Sequence, residues 1–226
     1  ASLGGTIYLA RTTGKKNFMH LKGGGFNFDR YSPKSKTEVK KELNLDLNLN
    51  YLLFVGRFNE QHRPELLVEV YKELKKVRNI KLICIGEKSD HPLYSEVLKL
   101  GGEIKGYIPR DEVVKYINAT DVLLLPTASN WPAFGDVATV AVEALGMNLP
   151  IIGPGLVNFL GPKSEREKLG FCVNSRKEMV DSVEYILDNP EKYNNTREIM
   201  KKYYNWDRIV SENAKIYEKL FNKYYS

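Results

Sequence analysis

The chain has few of the residues that staple small folds and no segment that would cross a membrane. Its 226 residues contain two cysteines, Cys84 and Cys172. Each stands alone in an apolar run (KLICIG and LGFCVN), without CxxC spacing or the even framework of a secreted scaffold. Both read as buried, reduced thiols of a reducing compartment. No run approaches the ~20 apolar residues of a membrane span. The start, ASLGGTIYLARTTGKK, lacks the order of charged, apolar and cleavage regions of a signal peptide, so a cytoplasmic location is expected. The three histidines, His20, His62 and His91, lie far apart without ligand spacing, and no metal site is expected. There is no GxGxxG after the first strand, no GxxxxGK[ST], no GxSxG and no HExxH. Dinucleotide, P-loop, hydrolase and zincin chemistry therefore lack their physical parts. No internal repeat is visible.

What is present describes a packed protein. Hydrophobic residues make up 42% and charged residues 27%, which suits a sizeable core rather than a disordered chain. The length suggests one large domain with an extra arm. The formal charge of +6 is unevenly spread: residues 1–50 hold nine basic against four acidic side chains, 51–187 hold 17 against 18, and 188–226 hold eight against six. A basic excess at the ends suits an acidic partner, a membrane surface or plain solubility. It is not the clustered stripe of a nucleic-acid reader, and no nucleic-acid partner is expected.

Apolar runs of strand length recur at 51–56, 80–86, 121–126, 149–153 and 170–173, separated by amphipathic stretches. Nearly unbroken apolar runs belong to strands covered on both faces. Pro64 suits a helix start, and Leu66, Leu67, Val70, Tyr71 and Leu74 follow at helical spacing. The βαβα pattern predicts an α/β fold, a Rossmann-like doubly wound parallel sheet flanked by helices. After residue 175 helices are expected at 177–187, at 193–204 after a break at Asn189-Pro190, and at 206–225. The last is an amphipathic tail that should pack on something beyond the sheet. GTIYLA and NFMHL near the start read as strands, and KGGGFNFDRYSP as a loop.

Ligands of such sheets bind beyond the carboxyl ends of the strands. Arg57 follows Gly56 at one such end, where it is either a solvated surface arginine or a bidentate phosphate ligand. With His62 and Arg63 beside the helix opened by Pro64, it forms an anion-site pattern. In DVATVAVEALG, Glu143 is a lone charge in an element that must otherwise be buried. It is either a buried ion pair with an arginine or lysine or a functional carboxylate, and the latter is favoured. Asp136 follows Gly135 as a helix N-cap, on one polar stripe with Thr139 and Glu143. Gly106-Tyr107-Ile108-Pro109 offers backbone groups and a ring on which a planar base could rest, unless Tyr107 is a core-edge residue.

Together these segments resemble the C-terminal, donor-binding domain of the family 4 (group 1) glycosyltransferases, mostly retaining enzymes of GT-B fold. The similarity runs from about Gly25 to Trp206. GGGFNFDRYSP is similar to the interdomain linker, YLLFVGRFNEQHRPELLVEVYKEL to the first strand, phosphate loop and helix, and GYIPRDEVVKYINATDVLLLP to the base-binding loop and next strand. AVEALGMNLPII is similar to the EAxxxGxPVI signature. The resemblance implies that Arg57, with His62 and Arg63, grips the donor diphosphate. It implies that Glu143, as the second glutamate of E-x7-E, holds the ribose hydroxyls, and that Tyr107 and Ile108 meet the base. Phe134, Gly135 and Asp136 are similar to the donor-sugar loop. Two positions depart from the family: His62 stands where lysine is usual, and Gly135 takes the place of the first glutamate, with Asp136 the acid that could replace it.

The resemblance further implies a hexosyl transfer from a UDP- or GDP-sugar, with Asp136 and Glu143 in the catalytic set. No DxD pair occurs, so no cofactor or essential metal is expected. Residues 1–35 would be a remnant of the N-terminal domain with the linker, 36–205 the nucleotide-sugar-binding domain, and 206–226 a terminal helix crossing back. The acceptor would belong to an N-terminal domain joined in cis or supplied in trans; the start on Ala1 reads as that of a fragment or half. Peripheral association with the inner membrane face suits the basic ends. The competing expectation is a non-catalytic scaffold that kept the fold.

Overall fold

The computed structural model describes residues 24–86, 91–127 and 138–225. The five apolar runs become strands and the segment before Tyr107 adds another, giving β1 (Asn50–Val55), β2 (Ile80–Ile85), β3 (Glu103–Gly106), β4 (Val122–Leu124), β5 (Ile151–Ile152) and β6 (Gly170–Phe171). All pair in parallel, in the order β3-β2-β1-β4-β5-β6. The chain thus builds outward from β1 on one side and then returns to build on the other. The expected Rossmann-like doubly wound sheet is what it adopts.

The helices are α1 (Lys36–Glu42), α2 (Pro64–Val77), α3 (Pro92–Lys99), α4 (Arg110–Ala119), α5 (Thr139–Gly146), α6 (Lys163–Arg166), α7 (Arg176–Asp188), α8 (Thr196–Tyr204) and α9 (Trp206–Tyr225). The strands look uniformly apolar because both faces are covered, yet their side chains still alternate between two cores. Leu53, Ile83, Leu123 and Ile151 join residues of α1, α4, α5 and α8 on one face. Leu52, Phe54, Leu82, Leu124 and Ile152 join α2, α3 and α7 on the other.

The loop 24–33 is tied to the first core at several points. Phe26 is buried, donates its N–H to the Tyr204 carbonyl at 2.9 Å and forms a parallel bridge with Asn205. Its ring lies on α5 at Gly146, where a Cβ would stand 2.6 Å from Phe26 Cδ1. Arg197 of α8 closes the joint. Its guanidinium donates to three carbonyl oxygens, Phe28 at 2.6 Å, Gly146 at 2.7 Å and Tyr31 at 2.9 Å, while lying over the Phe28 ring.

Several expectations change. Cys84 is buried as expected, but Cys172 is exposed, because it lies just past the end of the edge strand β6. Burial also pushes the Cys84 thiol pKa far up, so it stays protonated. The strand near 121–126 stops at Leu124, before Pro126, which has no N–H for the ladder. The helix expected from 193 begins at Thr196, because Pro190–Tyr193 forms a separate 3-10 turn after the expected break. The helix bearing Glu143 begins at Thr139 with Ala138 as its N-cap, and the capping role expected of Asp136 falls on a residue outside the described ones. The two strands expected before residue 21 lie outside the described residues.

Arg197→Ala strips three partly buried carbonyls of a charged donor. It should lower the unfolding free energy in urea by about 2–4 kcal/mol. A loss under about 0.5 kcal/mol would mean the clamp carries no stability.

Candidate functional site

The strand order reverses between β1 and β4, and a crevice is expected beyond their carboxyl ends. Close backbone packing builds this edge. A Cβ on Gly86 would stand 2.1 Å from the Gly56 carbonyl oxygen, and the Gly86 N–H donates to Gly106 O at 3.0 Å. The ends of β1, β2 and β3 are therefore drawn together. Helices α2, α4 and α5 leave the edge after β1, β3 and β4, and no N-cap side chain satisfies the first turn of any of them. Among the described residues, the N-cap side chains thus leave the leading amides and positive dipole ends of these helices to a polar or anionic ligand.

The β1–α2 loop carries the cationic groups. Buried Phe58 stacks on Tyr94 at 4.2 Å and anchors the loop. The Arg57 side chain is exposed and makes no hydrogen bond or ion pair among the described residues, while its carbonyl accepts the Asn59 N–H at 3.1 Å. Asn59 Oδ1 accepts the His62 backbone N–H at 3.2 Å and faces His62 Nδ1 at 2.8 Å. An amide oxygen only accepts, so Nδ1 carries the proton in the neutral ring. Burial, reinforced by Arg57, holds the His62 pKa below the usual imidazole value, so the ring is mainly neutral at pH 7.

Arg63 has left-handed backbone (φ 45°, ψ 60°) directly before Pro64. Its Nη1 donates to Asn174, to Oδ1 at 2.6 Å and to the carbonyl at 3.3 Å, so this guanidinium is spent on tying the loop to the β6–α7 connection. Of the three cations expected here, one is free among the described residues, one is neutral and one is partnered.

On the β3–α4 loop, Tyr107 is 88% exposed, which excludes the core-edge reading. Ile108 is half-buried against the first core. Pro109 is the N-cap of α4, and Arg110 is its first residue.

Glu143 of α5 is 6% exposed. Its Oε1 lies 2.6 Å from Nη2 of Arg110, whose side chain is 54% exposed. Burial pushes the Glu143 pKa above the ordinary carboxylate value, and Arg110 pulls it back down. The ion pair held open against a functional role is therefore present. Its partner reaches toward solvent beside the Tyr107 loop, so the pair does not by itself remove the role. Phe134, Gly135 and Asp136 lie outside the described residues.

Arg110 is the residue that sequence reasoning did not single out. Its signal was there, because a buried lone carboxylate calls for an arginine or lysine, but the pairing joins two helices and has no fixed spacing. A cavity of about 370 Å³ adjoins it, lined by Asn27, Arg30, Tyr31, Pro109, Arg110, Asp111 and Trp206. There Arg30 and Tyr31 both hold Asp111, at 3.0 and 2.6 Å. A cavity of about 680 Å³ lies instead against Phe171 and Tyr185, near the sheet edge, and touches none of the expected site residues. The strand-end edge is the better candidate, since Arg57 and the starts of α2, α4 and α5 follow its strands and Glu143 lies on α5.

With this geometry in hand, comparison places the chain plainly: it belongs to the glycosyl transferases group 1 family, which residues 35–203 match. An uncharacterized 41.2 kDa protein in the cps region of Klebsiella pneumoniae is 29% identical over 202 residues, or 86% of this chain and 52% of that one. Sucrose-phosphate synthase from Thermosynechococcus elongatus shares the fold with a TM-score of 0.78 at 21% identity, over 99% of this chain and 58% of that one. Anabaena HepE, in complex with UDP and glucose, gives 0.68 at 15%, over 88% of this chain and 55% of that one. At such identities the solved structures establish the GT-B-type Rossmann-like fold alone. The chain spans about half the length of each of these three proteins.

The loop geometry makes a direct prediction for His62. Its imidazole, followed by NMR, should titrate below the usual 6.5, and Arg57→Ala should raise that pKa by removing a neighbouring positive charge. An unshifted titration in both proteins would contradict the buried, Asn59-bound ring.

Proposed function

We propose that the chain is the C-terminal, donor-binding domain of a retaining family 4 glycosyltransferase, which transfers a hexose from a UDP- or GDP-sugar. The observation that carries this reading is Glu143, a buried carboxylate on the helix following the switch-point strand, next to an exposed aromatic loop. A carboxylate accepts only, and two vicinal ribose hydroxyls would supply two donors. Family membership and the fold shared with HepE, whose structure holds UDP and glucose, support it.

In this reading the ribose lies on Glu143 and the base rests by Tyr107 and Ile108. The diphosphate meets Arg57 and the uncapped start of α2. His62 contributes when protonated, since only then does Nε2 become a donor. Arg63 adds its charge to that region while its guanidinium holds Asn174. Phe134, Gly135 and Asp136 would contact the donor sugar. Glu143 and Asp136 form the catalytic set, and the departing diphosphate is stabilised by cations and a helix dipole without an essential metal or other cofactor.

The acceptor would sit on an N-terminal domain, in cis or in trans. Trp206, Val210, Tyr217 and Phe221 support this, because they form one exposed stripe along α9 and offer a surface to it. No described helix is long and apolar enough to cross a membrane. A cytoplasmic enzyme touching the inner membrane face through its basic ends completes the proposal, with no nucleic-acid partner.

Calorimetry with UDP, GDP and their sugars tests the reading. Arg57→Ala should weaken diphosphates about tenfold and nucleosides little, a loss of the size expected for one charge-assisted hydrogen bond. Glu143→Gln should weaken ribonucleotides more than 2′-deoxynucleotides. No binding at millimolar concentration, or equal losses across these ligands, would sink it. The neutral His62 and the partnered Arg63 favour one second reading, a non-catalytic scaffold of the same fold. That reading is separated by assaying the protein with its N-terminal half: the scaffold binds but turns over no sugar nucleotide.

A further inference from the structure

The pairing of Arg110 with Glu143 assigns a role to a residue that the family motifs leave unnamed. A carboxylate can accept ribose hydroxyls strongly only while it is ionised, and this one sits in a helix whose other described side chains are uncharged. Left alone at that depth it would take up a proton and become a donor as well as an acceptor. Its ability to hold two hydroxyls then depends on what faces it.

The groups packed around α5 can be surveyed one element at a time. From α4, Arg110 reaches Glu143 Oε1 at 2.6 Å, while the next residue, Asp111, is occupied by Arg30 and Tyr31. From α8, Arg197 is spent on the carbonyls of Phe28, Tyr31 and Gly146. Strand β5 is Ile151–Ile152 and has nothing to titrate, and the loop 24–33, which lies on α5 at Gly146, brings Asp29, near Arg197, and Arg30 and Tyr31, both held on Asp111. Among the described residues Arg110 is thus the charged group that acts on Glu143. It is also well placed to stay there: it opens α4 directly after the Tyr107 loop, and its Cζ lies 5.9 Å from the Tyr31 ring centroid.

We propose that Arg110 is a positioning residue for nucleotide binding, which holds the Glu143 carboxylate in place and ionised so that it can accept the ribose hydroxyls. This rests on the assignment of Glu143 to the ribose. Arg110 need not touch the nucleotide; it acts through Glu143. The ribose preference of the site is therefore insensitive to pH near neutrality while Arg110 is present. It becomes pH-dependent when Arg110 is lost. The arginine is half-exposed at a helix start, so replacing it should leave the fold intact.

Two readouts test this in the full chain, using wild type, Arg110→Gln, Arg110→Lys and Glu143→Gln. The first is the Glu143 carboxyl titration by carbon-13 NMR. Arg110→Gln should move it upward by at least about one pH unit, and Arg110→Lys by less. The second is the ratio of affinities for UDP and 2′-deoxy-UDP at pH 6 and pH 8.5. In wild type the ratio should stay constant. In Arg110→Gln it should collapse several-fold at pH 6 and recover at pH 8.5, with Arg110→Lys restoring most of it. In Glu143→Gln it should be low at both.

An unmoved Glu143 titration in Arg110→Gln overturns the proposal whatever nucleotides do. So does a ratio that Arg110→Gln leaves unchanged while Glu143→Gln abolishes it. A ratio that Glu143→Gln also leaves unchanged overturns the ribose assignment itself, and the proposal falls with it.

Discussion

A single carboxylate buried on α5 is the constraint around which the rest of this edge is arranged. Helix α5 is pressed between the sheet, α8 and the loop 24–33, and its side chains are apolar from Val140 to Leu145 except for Glu143. Burying one charge there is expensive unless a counter-charge reaches it. Arg110 does so from the start of α4, which brings the Tyr107 loop beside the carboxylate. The same loop 24–33 that covers α5 also grips α4, through Arg30 and Tyr31 on Asp111, and α8, through Arg197. Site and scaffold therefore share one set of contacts.

Much of this architecture was legible from the sequence. Strand positions followed from unbroken apolar runs, and the parallel sheet followed from their alternation with helical segments, because neither depends on distant contacts. The buried nature of the helix at 139–146 was equally clear, and with it the oddity of Glu143. What could not be read were pairings between residues far apart in the chain. Arg110 with Glu143, Arg63 with Asn174 and Arg197 with three carbonyls each join separate elements with no spacing rule. Cys172 was misplaced for a related reason: its run is apolar, but strand β6 ends at Phe171 on the sheet's edge, and the next residue has no layer to cover it.

The β1–α2 loop shows how far local sequence can mislead about chemistry. Arg57, His62 and Arg63 look like three cations at a helix start, and their proximity in the chain is real. The fold divides them: burial and the neighbouring Arg57 charge keep His62 mainly neutral, Asn174 takes Arg63, and Arg57 is left as the exposed charge. An anion arriving at α2 would meet one arginine, a set of uncapped amides and a histidine that becomes a donor only by gaining a proton. If the proposed diphosphate binds here, its recognition would be weaker at rest than with a lysine in place of His62.

The most direct test of this account is a crystal structure of the chain with UDP or GDP bound. The account predicts the ribose hydroxyls within hydrogen-bond distance of the Glu143 carboxylate, with the diphosphate between Arg57 and the first turn of α2. A nucleotide whose ribose lies away from Glu143, as in the cavity against Phe171 and Tyr185, would contradict it.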